Sequence, residues 1–228
     1  MSGIVGSRFN IRGSGLVGSL GTDGQVFTSS GAGAGAVFEA AAGGAWNLIK
    51  TLTSDGSDAT LTFTDGTSDV VLDATYREYI FKFINMHPET DDIALVWNAS
   101  IDAGSNYNVA KTSTFFQAIH PESDTETGFG YAAGSDLAQG TGFQDLIVEC
   151  GNDNDQSANG YLVLYNPGST VFTKHFSSFT NASMQADYVY TGNGAGYINT
   201  ASAVDAIQFK FESGEIQGGT ISLYGIST

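Results

Sequence analysis

The sequence predicts an all-β protein, an antiparallel β-sandwich of jelly-roll type with an extended N-terminal arm. Three observations carry that expectation. Charged residues make up only 14% of the chain, too few for the Glu-, Lys- and Arg-rich surfaces of helices. Thr, Ser, Tyr, Phe, Val and Ile are plentiful and are broken by clusters of Gly, Asn and Asp, the signature of short strands and turns. Among 228 residues there are no sustained heptads and no short internal repeat, which argues against coiled coils, propellers and solenoids. A β-barrel is the second candidate.

The arm comes first. Residues 1–45 hold 12 of the 30 glycines and no Pro. Their apolar residues are interrupted by Gly every few positions, so the segment cannot close a core of its own. It reads as a Gly-rich anchoring arm with a hinge over 31–44, where Gly31-Ala-Gly-Ala-Gly-Ala36 is nearly featureless. Residues 3–27 carry apolar anchors that a linker does not need. Ile4, Val5, Phe9, Ile11, Leu16 and Val17 would bury against a partner, with Arg8 and Arg12 pairing with its carboxylates.

The body spans 46–228. Strands are expected at 46–52, 59–64, 69–73, 78–86, 92–99 and 113–119, then at 143–150, 160–166, 170–176, 184–190, 204–212 and 219–226. In 204–212, Ile207, Phe209 and Phe211 alternate with Gln208, Lys210 and Glu212, as on a strand with one wet face. Tyr161 to Tyr165 is apolar throughout, which predicts a strand covered on both faces.

Charge and cysteine narrow the function. The net charge is −16, and residues 51–228 alone hold 22 Asp+Glu against 5 Lys+Arg. Such a body repels phosphates, which excludes nucleic acid as its partner. No apolar run is long enough to cross a membrane as a helix, and the N-terminus lacks the apolar core of a secretory signal. The lone Cys150, at the end of an apolar strand, reads as a buried thiol.

No catalytic constellation stands out, so the chain is expected not to be an enzyme and to use no cofactor. Of the three histidines, His87, His120 and His175, the first two each precede Pro and read as strand exits. Acidic turns occur at Asp55-Gly-Ser-Asp58, Glu89-Thr-Asp-Asp92 and Asn152-Asp-Asn-Asp155. The last is the best calcium candidate, though it lacks the spacing of an EF-hand. Gly192-Asn-Gly-Ala-Gly196 and Gly13-Ser-Gly-Leu-Val-Gly18 imitate phosphate loops without the βαβ context that would make them so. The sequons at Asn98 and Asn181 mean little without a secretory signal. Phe129, Tyr131 and Tyr197 are aromatics expected in loops, where they would stack on sugars or pack locally.

Two segments carry a resemblance. Leu20-Gly-Thr-Asp-Gly-Gln-Val-Phe-Thr-Ser-Ser-Gly-Ala-Gly-Ala34 resembles the Gly-Thr-x-Gly-Gln-Val-Leu-Thr-Ser-x-Gly-Ala-Gly motif of tailed-bacteriophage fibre and virion-surface proteins, with Phe27 in place of the usual Leu. The closing segment 204–226 is similar to the last hairpin of β-sandwich domains in phage structural proteins, which end Gly-x-Ile-x-Leu-Tyr-Gly. The resemblance implies a virion structural protein and a homotrimer. It would be a fibre-like surface and adhesion module, docked to capsid or tail proteins by its arm, displaying the acidic sandwich for host attachment, with host surface glycan as the outside partner. The alternative is a capsid decoration (cement) protein that stabilises the head. A glycan-degrading β-sandwich enzyme is the third possibility.

Overall fold

A computed structural model describes residues 25–29, 36–40 and 44–227. The chain divides into two units, Met1–Gly44 and Ala45–Thr228. In the first, β1 (Gln25–Ser29) and β2 (Ala36–Ala40) pair antiparallel, with Phe27 opposite Phe38. Residues 36–40, within the stretch 31–44 expected as a hinge, thus form a paired strand.

The second unit is all-β. Its strands are β3 (Trp46–Thr53), β4 (Leu61–Thr64), β5 (Glu78–Pro88), β6 (Ile93–Ser100), β7 (Lys111–Pro121), β8 (Gly128–Tyr131) and β9 (Ala138–Gly140). Then follow β10 (Gln144–Cys150), β11 (Ala158–Tyr165), β12 (Lys174–Ser183), β13 (Tyr188–Ile198), β14 (Ala206–Phe211) and β15 (Ile216–Ile226). Two antiparallel sheets pack together. One has four strands in the order β10-β6-β14-β4; the other has nine, ordered β3-β15-β5-β11-β12-β13-β7-β8, with β9 also on β7. From β3 to β7, each successive strand enters the opposite sheet.

Aromatic rings fill the space between the sheets. Phe63 on β4 meets Phe81 on β5, and Phe209 on β14 meets both Phe81 and Phe83, with centroids 5.2–5.3 Å apart; Phe63 and Phe209 stand 6.3 Å apart on neighbouring strands. Trp97 on β6 lies edge-on to Phe176 on β12 at 4.9 Å. Edge-to-face pairs of this kind add about 0.5–1.5 kcal/mol to the burial of each ring. The alternation read in 204–212 is realised in β14, where Ile207, Phe209 and Phe211 are buried.

Three strand expectations are corrected. Residues 69–73 form a loop, because Ser68 and Asp69 adopt positive φ and turn the chain. Val70 and Leu72 still plug the core from that loop, and the Leu72 amide donates to Asp65 Oδ1 at 2.8 Å. The strand expected at 170–176 starts only at Lys174, leaving Val171 and Phe172 exposed. The strand expected at 184–190 is split by a turn, and the 187 amide donates to the Met184 carbonyl at 3.1 Å before β13 begins at Tyr188.

Gly192-Asn-Gly-Ala-Gly196 is the middle of β13, not a loop. Its glycines point inward because the facing rings leave no space. A Cβ on Gly194 would stand 2.7 Å from Ser178 Oγ and 3.3 Å from the Phe115 ring. That inward thinness leaves Asn193 and Ala195 as the outward side chains of the strand.

Candidate functional site: an aromatic row across five strands

Five neighbouring strands, β11, β12, β13, β7 and β8, contain no Asp or Glu, in a chain that has 24. Their only cations are Lys111 and Lys174, and both are buried. These strands thus bring no carboxylate of their own to the outer face of the half-sheet; acidic side chains reach it only from flanking loops, Asp136 beside Tyr131 and Asp124 beside His120 among them.

Register lines aromatic residues across that face. Tyr161 pairs with Phe179, Phe179 with Asn193, Asn193 with Phe116, and Phe116 with Tyr131, so five strands contribute to one row. Tyr161 stacks on Phe179 at 6.1 Å, and Phe116 meets Tyr131 edge-on at 5.4 Å. All four rings remain 39–49% exposed. The expectation that Tyr161 to Tyr165 is covered on both faces is therefore corrected. Leu162 and Leu164 face the core, while Tyr161 and Tyr165 face outward.

Between the two ring pairs runs a trough of about 330 Å³, floored by Asn193, Gly194 and Ala195 and edged by Thr114 and Ser177. Strands β12 and β7 lie two spacings apart, so the walls stand about 10 Å from one another. The lining is rings, hydroxyls and one exposed carboxamide. Ser177 Oγ lies 3.2 Å from Tyr165 Oη, and Thr114 Oγ1 donates to the Ala195 carbonyl at 3.4 Å. Tyr131 donates its hydroxyl to Asp136, which steadies the ring at the rim and holds its phenol above the usual range. Rings flanking a hydroxyl- and amide-lined floor suit a ligand with apolar C–H faces and polar edges.

The residues singled out in sequence distribute as follows. Phe129 and Tyr131 lie on β8 and Tyr197 on β13, not in loops; Phe129 is 81% exposed and Tyr197 sits 6.1 Å from His175. Phe116, Tyr161 and Phe179 were not anticipated. The arm residues Ile4, Val5, Arg8, Phe9, Ile11, Arg12, Leu16 and Val17 lie outside the described residues.

The histidines have separate partners. His87 Nδ1 lies 2.8 Å from the Gln156 carbonyl and His120 Nε2 lies 3.2 Å from Asp124. As expected of strand exits, each sits one residue before the end of β5 or β7. Asn152 spends its carboxamide on the Glu89 carbonyl at 2.9 Å. Among the described residues, no group of three or more His, Cys, Asp or Glu is placed to hold a metal ion. Cys150 is buried, and desolvation pushes its thiol up to about 12, so it is not a nucleophile near neutral pH. A second cleft, of about 380 Å³, is lined by His120, Glu122, Asp155, Asn181, Asp187 and Tyr188. Its side chains lack the ring pairs that define the trough.

Comparison with protein-family models, curated proteins and solved structures returns no match.

Proposed function

We propose that the chain is a tailed-bacteriophage virion structural protein, a non-catalytic, fibre-like surface module that attaches to an uncharged glycan of the host surface. In this reading the protein is a homotrimer in the virion, its N-terminal arm docks on capsid or tail proteins, and its sandwich is a jelly roll. The observation that carries the adhesion reading is the aromatic row of Tyr161, Phe179, Phe116 and Tyr131 around Asn193, on strands that contain no Asp or Glu. A molecule with 24 acidic residues whose five neighbouring strands carry none has, around Asn193, a surface suited to contact. A sugar ring stacks its C–H face on an aromatic ring and offers hydroxyls to Asn193, Ser177 and Thr114. The trough has no carboxylate pair of the sort that cleaves glycosidic bonds, which favours binding over hydrolysis. The exchange of successive strands between sheets supports the jelly-roll assignment.

The test is binding of the purified protein to an array of neutral and acidic glycans, followed by titration of the strongest neutral one. Phe179→Ala should weaken binding at least about tenfold, the equivalent of 1.4 kcal/mol, and Asn193→Ala should do likewise. Binding confined to acidic glycans, or unchanged by both substitutions, overturns the assignment of the trough.

A further inference from the structure

Lys111 is wholly buried, and its hydrogen-bond partners among the described residues are a carboxamide and a backbone carbonyl, not a carboxylate. It begins β7, in the nine-stranded sheet, and reaches across to β6 of the four-stranded one. Its Nζ donates to Asn98 Oδ1 at 2.5 Å and to the Val109 carbonyl at 3.1 Å, and it lies 5.8 Å from the centre of the Trp97 ring. A contact of 2.5 Å is shorter than the usual 2.7–3.2 Å of an N–H···O bond. With a C=O bond of about 1.23 Å, Asn98 Cγ stands no farther than about 3.7 Å from Nζ.

The carboxamide is equally unusual. Asn98 is buried, and its Nδ2 faces three carbonyl oxygens, those of Tyr107 at 2.6 Å, Thr141 at 3.1 Å and Gly142 at 3.1 Å. An amide nitrogen has two protons for those three acceptors, whereas ammonia has three. Oδ1 also accepts the Ala99 amide at 2.8 Å.

We propose that Lys111 and Asn98 condense into an intramolecular isopeptide bond that staples the two sheets together. The chemistry is acyl transfer without redox change. The lone pair of uncharged Nζ forms a bond to Cγ, and the C=O π pair moves onto Oδ1, where the Ala99 amide holds the developing charge. A proton passes from Nζ to Nδ2, the Oδ1 pair re-forms the carbonyl, and the Cγ–Nδ2 bond breaks. Ammonia leaves into the cradle of three carbonyls, and a secondary amide remains. Burial lowers the ammonium of Lys111 to about 7, which supplies the uncharged amine at neutral pH. Proximity does the rest, since the two groups are held in contact by strands on either side of a 13-residue separation.

Mass spectrometry of the full chain tests this. The folded protein, incubated at pH 8 and then denatured and digested, should yield one branched peptide carrying both Asn98 and Lys111. Its mass should be the sum of the two linear peptides less one ammonia. Lys111→Met should abolish the branched peptide, and Asn98→Asp should restore it with loss of water in place of ammonia. Recovery of Asn98 and Lys111 in two separate, unmodified peptides from the wild-type digest overturns the proposal. That outcome needs no variant to fold, and a succinimide at Asn98 would leave Lys111 on its own linear peptide.

Discussion

Asp145 on β10 shows how one side chain sets a pH dependence. Desolvation pushes its carboxyl up to about 6; a hydrogen bond from Ser135 opposes the rise and the charge of Glu212 adds to it. The folded state therefore holds this proton more tightly than the unfolded chain, whose Asp titrates near 3.8. A raised folded value means that the stability it contributes is complete below about 3.8 and is lost as pH rises through about 6. The whole penalty is of order 3 kcal/mol, from a shift of about two units at 1.36 kcal/mol each. Asp145→Asn, neutral at every pH and able to keep a hydrogen bond to Ser135, should raise the melting temperature at pH 7.5 by several degrees and leave it unchanged at pH 3.5. Thermal unfolding at the two pH values checks this; an equal gain at both would mean that packing, not the buried charge, had changed.

At the scale of the element, position in the sheet decides stability. β5 is paired on both sides, with β15 and β11, and β6 with β10 and β14. β8 offers only four residues to β7, and Phe129 and Tyr131 on it face solvent. Local opening follows the burial and pairing of each strand. Amide hydrogen exchange should therefore be slowest in β5 and β6 and faster by about a hundredfold or more in β8. Slow exchange in β8 would show that this strand is covered by something beyond the described chain. The same contrast explains what the sequence disclosed. Long strands with a core face are legible because alternation survives in them, as Ile207, Phe209 and Phe211 show in β14. β8 and β9 were missed because Gly-Phe-Gly-Tyr and Ala-Gln-Gly lack enough residues to show a period. Residues 69–73 misled because Val70 and Leu72 are buried as a strand's would be, but from a loop. The absence of carboxylates from 111–121 and 158–165 was readable in the letters. The row was not, since it depends on β13 pairing with β7, strands separated in the chain by five others.

At the scale of the whole molecule, the acidic body and its apolar edge pull in opposite directions. Trp46 and Leu48 lie on β3, an edge strand of the large sheet, and are 55% and 59% exposed, with Trp46 edge-on to Tyr224 at 5.6 Å. An edge strand that displays large apolar side chains invites pairing. The net charge of −16 opposes close approach of copies. The proposed homotrimer would reconcile the two by covering a small apolar patch on each copy while the carboxylates stay in solvent. Because salt screens the repulsion over a Debye length of about 10 Å at 0.1 M but leaves the apolar contact intact, association should strengthen as salt is raised. Light scattering of the full chain should give three times 23.8 kDa. Trp46→Ser with Leu48→Ser should give a monomer that keeps its fold. That monomer should bind a single glycan in solution as the wild type does, yet lose at least about a hundredfold on a glycan-coated surface, since avidity needs linked copies. A wild-type monomer at micromolar concentration and high salt would remove the trimer from the account while leaving the trough to be judged by its own titration.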